Sequence, residues 1–121
     1  MRGGAWLALA GVLMAGACRH EKPIRVVAGG DPEAGVHLIT KFGCGSCHVV
    51  PGIKGANGMV GPPLDHFARR AFIAGEVPNE TDYLIRWLEV PQAIEPGTAM
   101  PNLGVSEGQA RSIAAYLYTL R

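Results

Sequence analysis

The sequence predicts an all-α domain of three to five short helices. Three observations carry this. Apolar residues recur at helical spacing in several windows, and no window reads as a convincing strand. Gly and Pro are abundant, 17 and 9 of 121 residues, which suits short helices joined by shaped loops rather than a sheet-rich body. No repeat or heptad pattern lengthens any helix.

Residues 1–17 have the parts of a secretory signal. Arg2 supplies the positive start, and residues 5–17 form an apolar run shorter than the ~20 residues that span a bilayer. Ala15, Gly16 and Ala17 give the small-x-small pattern of a cleavage site, and Cys18 follows at once. A cysteine there resembles the lipobox of bacterial lipoproteins, with the departure that Ala15 stands where leucine is usual. The odd count of three cysteines agrees, since an unpaired cysteine in an exported chain needs an explanation. Cys18 is therefore expected to carry a lipid anchor on the periplasmic side of a bacterial membrane; the alternative is plain cleavage. Several acyl chains would hold firmly, each buried CH₂ contributing about 0.8 kcal/mol. Residues 18–30 read as a tether and 31–121 as one small domain.

Loss of Arg2 with the signal leaves ten basic against ten acidic residues, a formal charge of zero. Nothing in that balance suggests nucleic-acid binding, which would need a basic patch.

The helices follow in order. Asp31-Pro32-Glu33 combines a capping aspartate, a first-turn proline and an acid at the positive helix end. Gly35, Leu38, Ile39 and Phe42 then share one face, and Gly43 closes the helix. Residues 49–63 form a glycine- and proline-rich loop. Residues 67–74 are expected to form a short helix. Asn79 or Thr81 is expected to cap the next helix, which buries Leu84, Ile85, Trp87 and Leu88 and ends at Pro91. Residues 91–104 are a second loop. Ser106 and Gln109 form a capping-box pair for a last helix with an apolar stripe of Ala110, Ile113, Ala114, Leu117 and Leu120.

Between the first helix and the first loop, Cys44-Gly45-Ser46-Cys47-His48 spells C-x-x-C-H, the attachment string for c-type haem. Two thiols three positions apart can each form a thioether to one of two vinyl groups on a single porphyrin edge. The next residue, His48, then brings its imidazole to the iron. The rival reading, a redox dithiol, goes with a βαβ pattern that this chain lacks. One covalent, iron-containing haem c is expected. It would fill much of a core that is marginal at this size, so the haem-free chain should fold poorly.

A haem held by His48 alone needs a second axial ligand. The candidates are Met59, Met100, His20, His37 and His66. Met100 lies in Pro96-Gly97-Thr98-Ala99-Met100-Pro101, where two prolines restrict the backbone. That stiffness suits a weak thioether ligand. Met59 is too near His48 in the chain, His37 is on the polar side of its helix and His20 is in the tether. His66 remains the competitor.

These residues together resemble a class I, mitochondrial-type or bacterial monohaem cytochrome c over residues 31–121. The family's glycine, leucine pair, glycine and pentapeptide are matched by Gly35, Leu38, Ile39, Gly43 and residues 44–48. Its Gly-Pro-x-Leu turn is matched by Gly61, Pro62, Pro63 and Leu64, and its Pro-Gly-Thr-x-Met loop by residues 96–100. The resemblance implies the class I fold, short helices wrapped round the haem with the first and last crossing at Gly35. It implies that the Pro62 carbonyl orients His48. It implies further that Arg70, with Arg69 as substitute, and Thr98 approach haem propionates, and that Trp87 packs on the methionine side. The implied function is one-electron transfer by a low-spin His/Met haem in a respiratory-type chain, with a membrane oxidase or dehydrogenase as partner, and no enzymatic turnover. Two alternatives stay open: an electron-entry subunit of such a complex, or a peroxidase or gas-binding protein if Met100 is labile.

Overall fold

The computed structural model describes residues 23–121. Three α-helices, α1 (Pro32–Lys41), α2 (Thr81–Glu89) and α3 (Glu107–Leu117), are joined by loops that carry 3₁₀ turns at Cys44–Ser46, Phe67–Arg69 and Pro91–Ala93. The all-α expectation holds, with one addition. Residues expected to be helical to position 74 form only the 3₁₀ turn at Phe67–Arg69. The chain then enters a two-stranded antiparallel hairpin, β1 (Phe72–Ile73) and β2 (Val77–Pro78). Ala74 and Gly75 both take positive φ, 53° and 74°, the pair of conformations a tight I′ turn needs, and the Glu76 amide closes it onto the Ile73 carbonyl at 3.0 Å.

Helix α1 begins as the sequence indicates. The Asp31 carboxylate accepts from the Glu33 amide at 2.9 Å, with Pro32 in the first turn. It ends at Gly43, whose φ is 69°. Helix α3 carries the full capping box between Ser106 and Gln109. The two helices cross at Gly35, where a Cβ would run into the Ser112 carbonyl; absence of a side chain is what lets the backbones meet. Helix α2 starts differently from the expectation. Neither Asn79 nor Thr81 caps it; the N-cap is Glu80, with no side-chain bond. Asn79 is buried and faces the other way, its amide donating to the carbonyls of Phe67 (2.9 Å) and Arg70 (3.1 Å).

The core is built from Ile39, Leu84, Ile85, Leu88, Ala110, Ile113, Ala114, Leu117 and Tyr118. Trp87, expected on the buried side of α2, is only half-buried and stands at the edge of this cluster. The described part of the tether packs against the domain. Val27 is buried, Arg25 donates to the Asn79 carbonyl at 2.6 Å and lies over the Tyr118 ring, and Arg111 donates to the Ala28 carbonyl at 3.1 Å. Residues 25–30 therefore pack along the domain, held by α3 at Arg111 and by Asn79 and Tyr118 beyond it. No described helix is long and apolar enough to cross a membrane.

Candidate functional site

The helices enclose a cavity of about 620 Å³, within the ~300–1,000 Å³ of small-molecule and cofactor sites. Its walls are largely apolar: Ile39 from α1 and Phe42 just after it, Leu84, Trp87 and Leu88 from α2, Ile113 and Leu117 from α3, and Ile73 from β1. Cys44, Cys47, His48, Pro62, Arg70, Thr98 and Met100 open onto it as well. Residues far apart in the chain, singled out separately in the sequence, thus share one chamber.

The pentapeptide is folded tightly. The 3₁₀ turn places the His48 amide on the Cys44 carbonyl at 3.0 Å, and the Ser46 hydroxyl donates to the Gly43 carbonyl at 2.6 Å. Burial raises the Cys44 thiol pKa above its ordinary value, with the nearby Cys47 adding to the shift and a backbone hydrogen bond opposing it. The loop that follows wraps the turn. Gly61 donates to the Cys47 carbonyl at 2.7 Å, and a Cβ at Gly61 would strike the His48 ring. The imidazole thus lies flat against backbone, a role for Gly61 beyond its place in a turn.

His48 Nδ1 sits 2.7 Å from the Pro62 carbonyl. A carbonyl can only accept, so Nδ1 carries the proton, and in the neutral ring the lone pair is then on Nε2. This is how a neutral histidine is held ready to bind a metal through Nε2.

Met100 is half-buried, its amide donating to the Thr98 hydroxyl at 3.1 Å. Thr98 therefore braces the methionine as well as lining the cavity. Arg70 donates to the Pro63 carbonyl, and to the Asp65 carbonyl at 3.4 Å. The other candidates stay outside. Met59 is 91% exposed, His37 and Arg69 are exposed, and none of the three lines the cavity. His66 is exposed in a left-handed conformation beside Asp65. His20 and Cys18 lie outside the described residues.

Three contributors were not legible in the sequence. Asn79 anchors the turn that carries Arg70. Tyr116 donates from its hydroxyl to the Pro51 carbonyl at 2.6 Å, tying the loop after His48 to α3. Gln92 donates to the Met100 carbonyl at 2.9 Å. Each bond joins residues from separate elements or loops, so no local spacing announces it.

A family model for cytochrome c matches residues 32–121. The chain is 37% identical over 105 residues to cytochrome c2 of Rhodopila globiformis, covering 76% of this chain and 95% of that protein. It is also 30% identical over 102 residues to cytochrome c oxidase subunit 2 of Alkalihalophilus pseudofirmus, covering 84% of this chain. Of that subunit's length the chain spans 28%. The chain belongs to the cytochrome c family: an electron-transfer protein of the class I fold with one covalently bound haem c. The cavity fits that group, offering two thiols at thioether spacing, an imidazole with a free Nε2, a thioether and walls largely of hydrocarbon.

Proposed function

We propose that the protein is a one-electron carrier whose haem is held by Cys44 and Cys47 and ligated axially by His48 and Met100. The observation that carries this reading is the meeting of His48, with its lone pair free, and Met100, braced by hydrogen bonds, on one apolar cavity. The bound haem supplies a one-electron Fe(III)/Fe(II) couple. The chain's part is to occupy both axial positions, so that no substrate reaches the metal, and to keep water out. Thioether ligation and burial favour the reduced state and raise the potential. Arg70 and Thr98 are the residues we assign to the propionates, and Trp87 to the methionine side.

Export and a lipid anchor at Cys18 would confine the carrier to the periplasmic face of a bacterial membrane, close to a membrane oxidase or dehydrogenase. Confinement would replace long-range steering, which the cleaved chain, with zero formal charge, would lack. A second reading, a fixed electron-entry module of an oxidase, is favoured by the similarity to an oxidase subunit.

Met100→Ala tests the ligand pair. The variant should keep its haem, lose the methionine–ferric charge-transfer band in the far red, fall in potential and bind exogenous ligands. A peroxidase or gas-binding protein would instead show a high-spin wild-type spectrum. Retention of the wild-type band in Met100→Ala would remove Met100 from the iron. Cys18→Ser should release the protein from membranes; unchanged fractionation would remove the anchor. Co-purification of oxidase subunits at native abundance separates the fixed module from the free carrier.

A further inference from the structure

Met100 lies in a loop that holds no helix or strand between the 3₁₀ turn at Pro91–Ala93 and α3. A thioether is too weak a ligand to order such a loop alone, so the loop must be ordered by its own bonds. Most of these are internal. The Thr98 amide donates to the Glu95 carbonyl (3.1 Å), the Gly97 amide to the Glu95 carboxylate (2.9 Å) and the Met100 amide to the Thr98 hydroxyl (3.1 Å). Such bonds shape the loop without fixing where it stands relative to the helices.

The bond from Gln92 leaves the loop. Its Nε2 donates to the Met100 carbonyl at 2.9 Å, and Gln92 is firmly mounted. The Val90 amide continues the α2 ladder onto the Arg86 carbonyl. The amides of Ala93, Ile94 and Glu95 then close the 3₁₀ turn onto Val90 and Pro91 at 3.0 Å each. Gln92 is half-buried, which strengthens a bond that water would otherwise compete for. The next residue, Pro101, has no N–H to tie the chain beyond Met100. The methionine backbone is thus gripped on both sides, by Thr98 at its N–H and by Gln92 at its C=O.

We propose that Gln92 is a positioning residue for the axial methionine, transferring the rigidity of α2 to the Met100 carbonyl so that the sulfur is held toward the iron. The inference rests on the reading of Met100 as ligand.

The test uses the purified haem-loaded protein and imidazole as probe. Gln92→Leu, of similar bulk but without a donor, should raise imidazole affinity about fivefold, the equilibrium value of one net hydrogen bond. It should also weaken the far-red band and lower the midpoint potential. Gln92→Glu at neutral pH, with a carboxylate facing a carbonyl, should match or exceed this loss. In a Met100→Ala background, Gln92→Leu should change imidazole affinity no further, since the group it positions is gone. If Gln92→Leu leaves the band, potential and imidazole affinity at wild-type values while Met100→Ala abolishes the band, the positioning role is overturned and the ligand reading stands. An equal change in both backgrounds also overturns it, because Gln92 then acts through something other than Met100. Retention of the wild-type band in Met100→Ala overturns both.

Discussion

Tyr118 shows how much a single side chain organises behind the cavity. It is fully buried, and its hydroxyl donates to Asn79 Oδ1 at 3.1 Å. Through its amide, Asn79 fixes the turn that carries Arg70. Tyr118→Phe removes one donor and leaves a buried acceptor without it, at a cost of about 1–3 kcal/mol, readable as a lower denaturant midpoint with the haem spectrum unchanged. Burial raises the Tyr118 pKa, and Arg25 partly opposes the shift. The folded state therefore binds this proton more tightly than the unfolded state. Its contribution is complete below the ordinary tyrosine pKa of 10.0 and is lost as pH rises through the higher folded value. Stability should decline above about pH 10, and less steeply in Tyr118→Phe. A slope remains, because burial raises Tyr116 as well. An identical alkaline slope in the variant would assign the effect elsewhere.

At the scale of elements, the crossing of α1 and α3 holds the frame. The Asp31 amide donates to the Ser112 hydroxyl at 3.2 Å, and the same turn of α3 meets Gly35. Gly35→Ala would push a methyl group into the Ser112 carbonyl and within 2.9 Å of Tyr116 Cβ. The helices must separate, with an overpacking cost of about 1–3 kcal/mol. A reduced urea midpoint is expected; an unchanged one would mean that the crossing slides freely. Elements with local punctuation were legible in the chain: Asp31-Pro32-Glu33 starts α1, and Ser106 with Gln109 starts α3. The hairpin was not. Its strands are two residues each, too short for any period, and its turn puts Ala74 at positive φ, which alanine does not advertise. Asn79 misled because a capping residue and a buried bridging residue look the same until Tyr118 and Phe67 are seen beside it. At the site, the C-x-x-C-H string of Cys44, Cys47 and His48 stands out in the chain because the attachment we propose for it would demand strict local spacing. Gln92 was not, because a glutamine in a polar loop reads as solvated.

For the molecule as a whole, the core and the cavity wall are largely the same residues. Ile39, Leu84, Leu88, Ile113 and Leu117 are buried, yet each also lines the cavity of about 620 Å³. All three helices therefore face the cavity with apolar side chains, and a haem bound there would add contacts to the direct packing between them. A domain this small has little stability to spare, and side chains left facing a gap lose their dispersion partners outright. Cys44→Ala combined with Cys47→Ala, exported without covalent haem, should show low helical ellipticity and no cooperative thermal transition. Met100→Ala, which keeps both thioethers, should still melt cooperatively; this comparison separates the loss of the filled core from the loss of one ligand. Near-native ellipticity with a sharp transition in the double cysteine variant would mean that the helices pack adequately on their own. The fold would then be the scaffold that receives the cofactor rather than a structure completed by it.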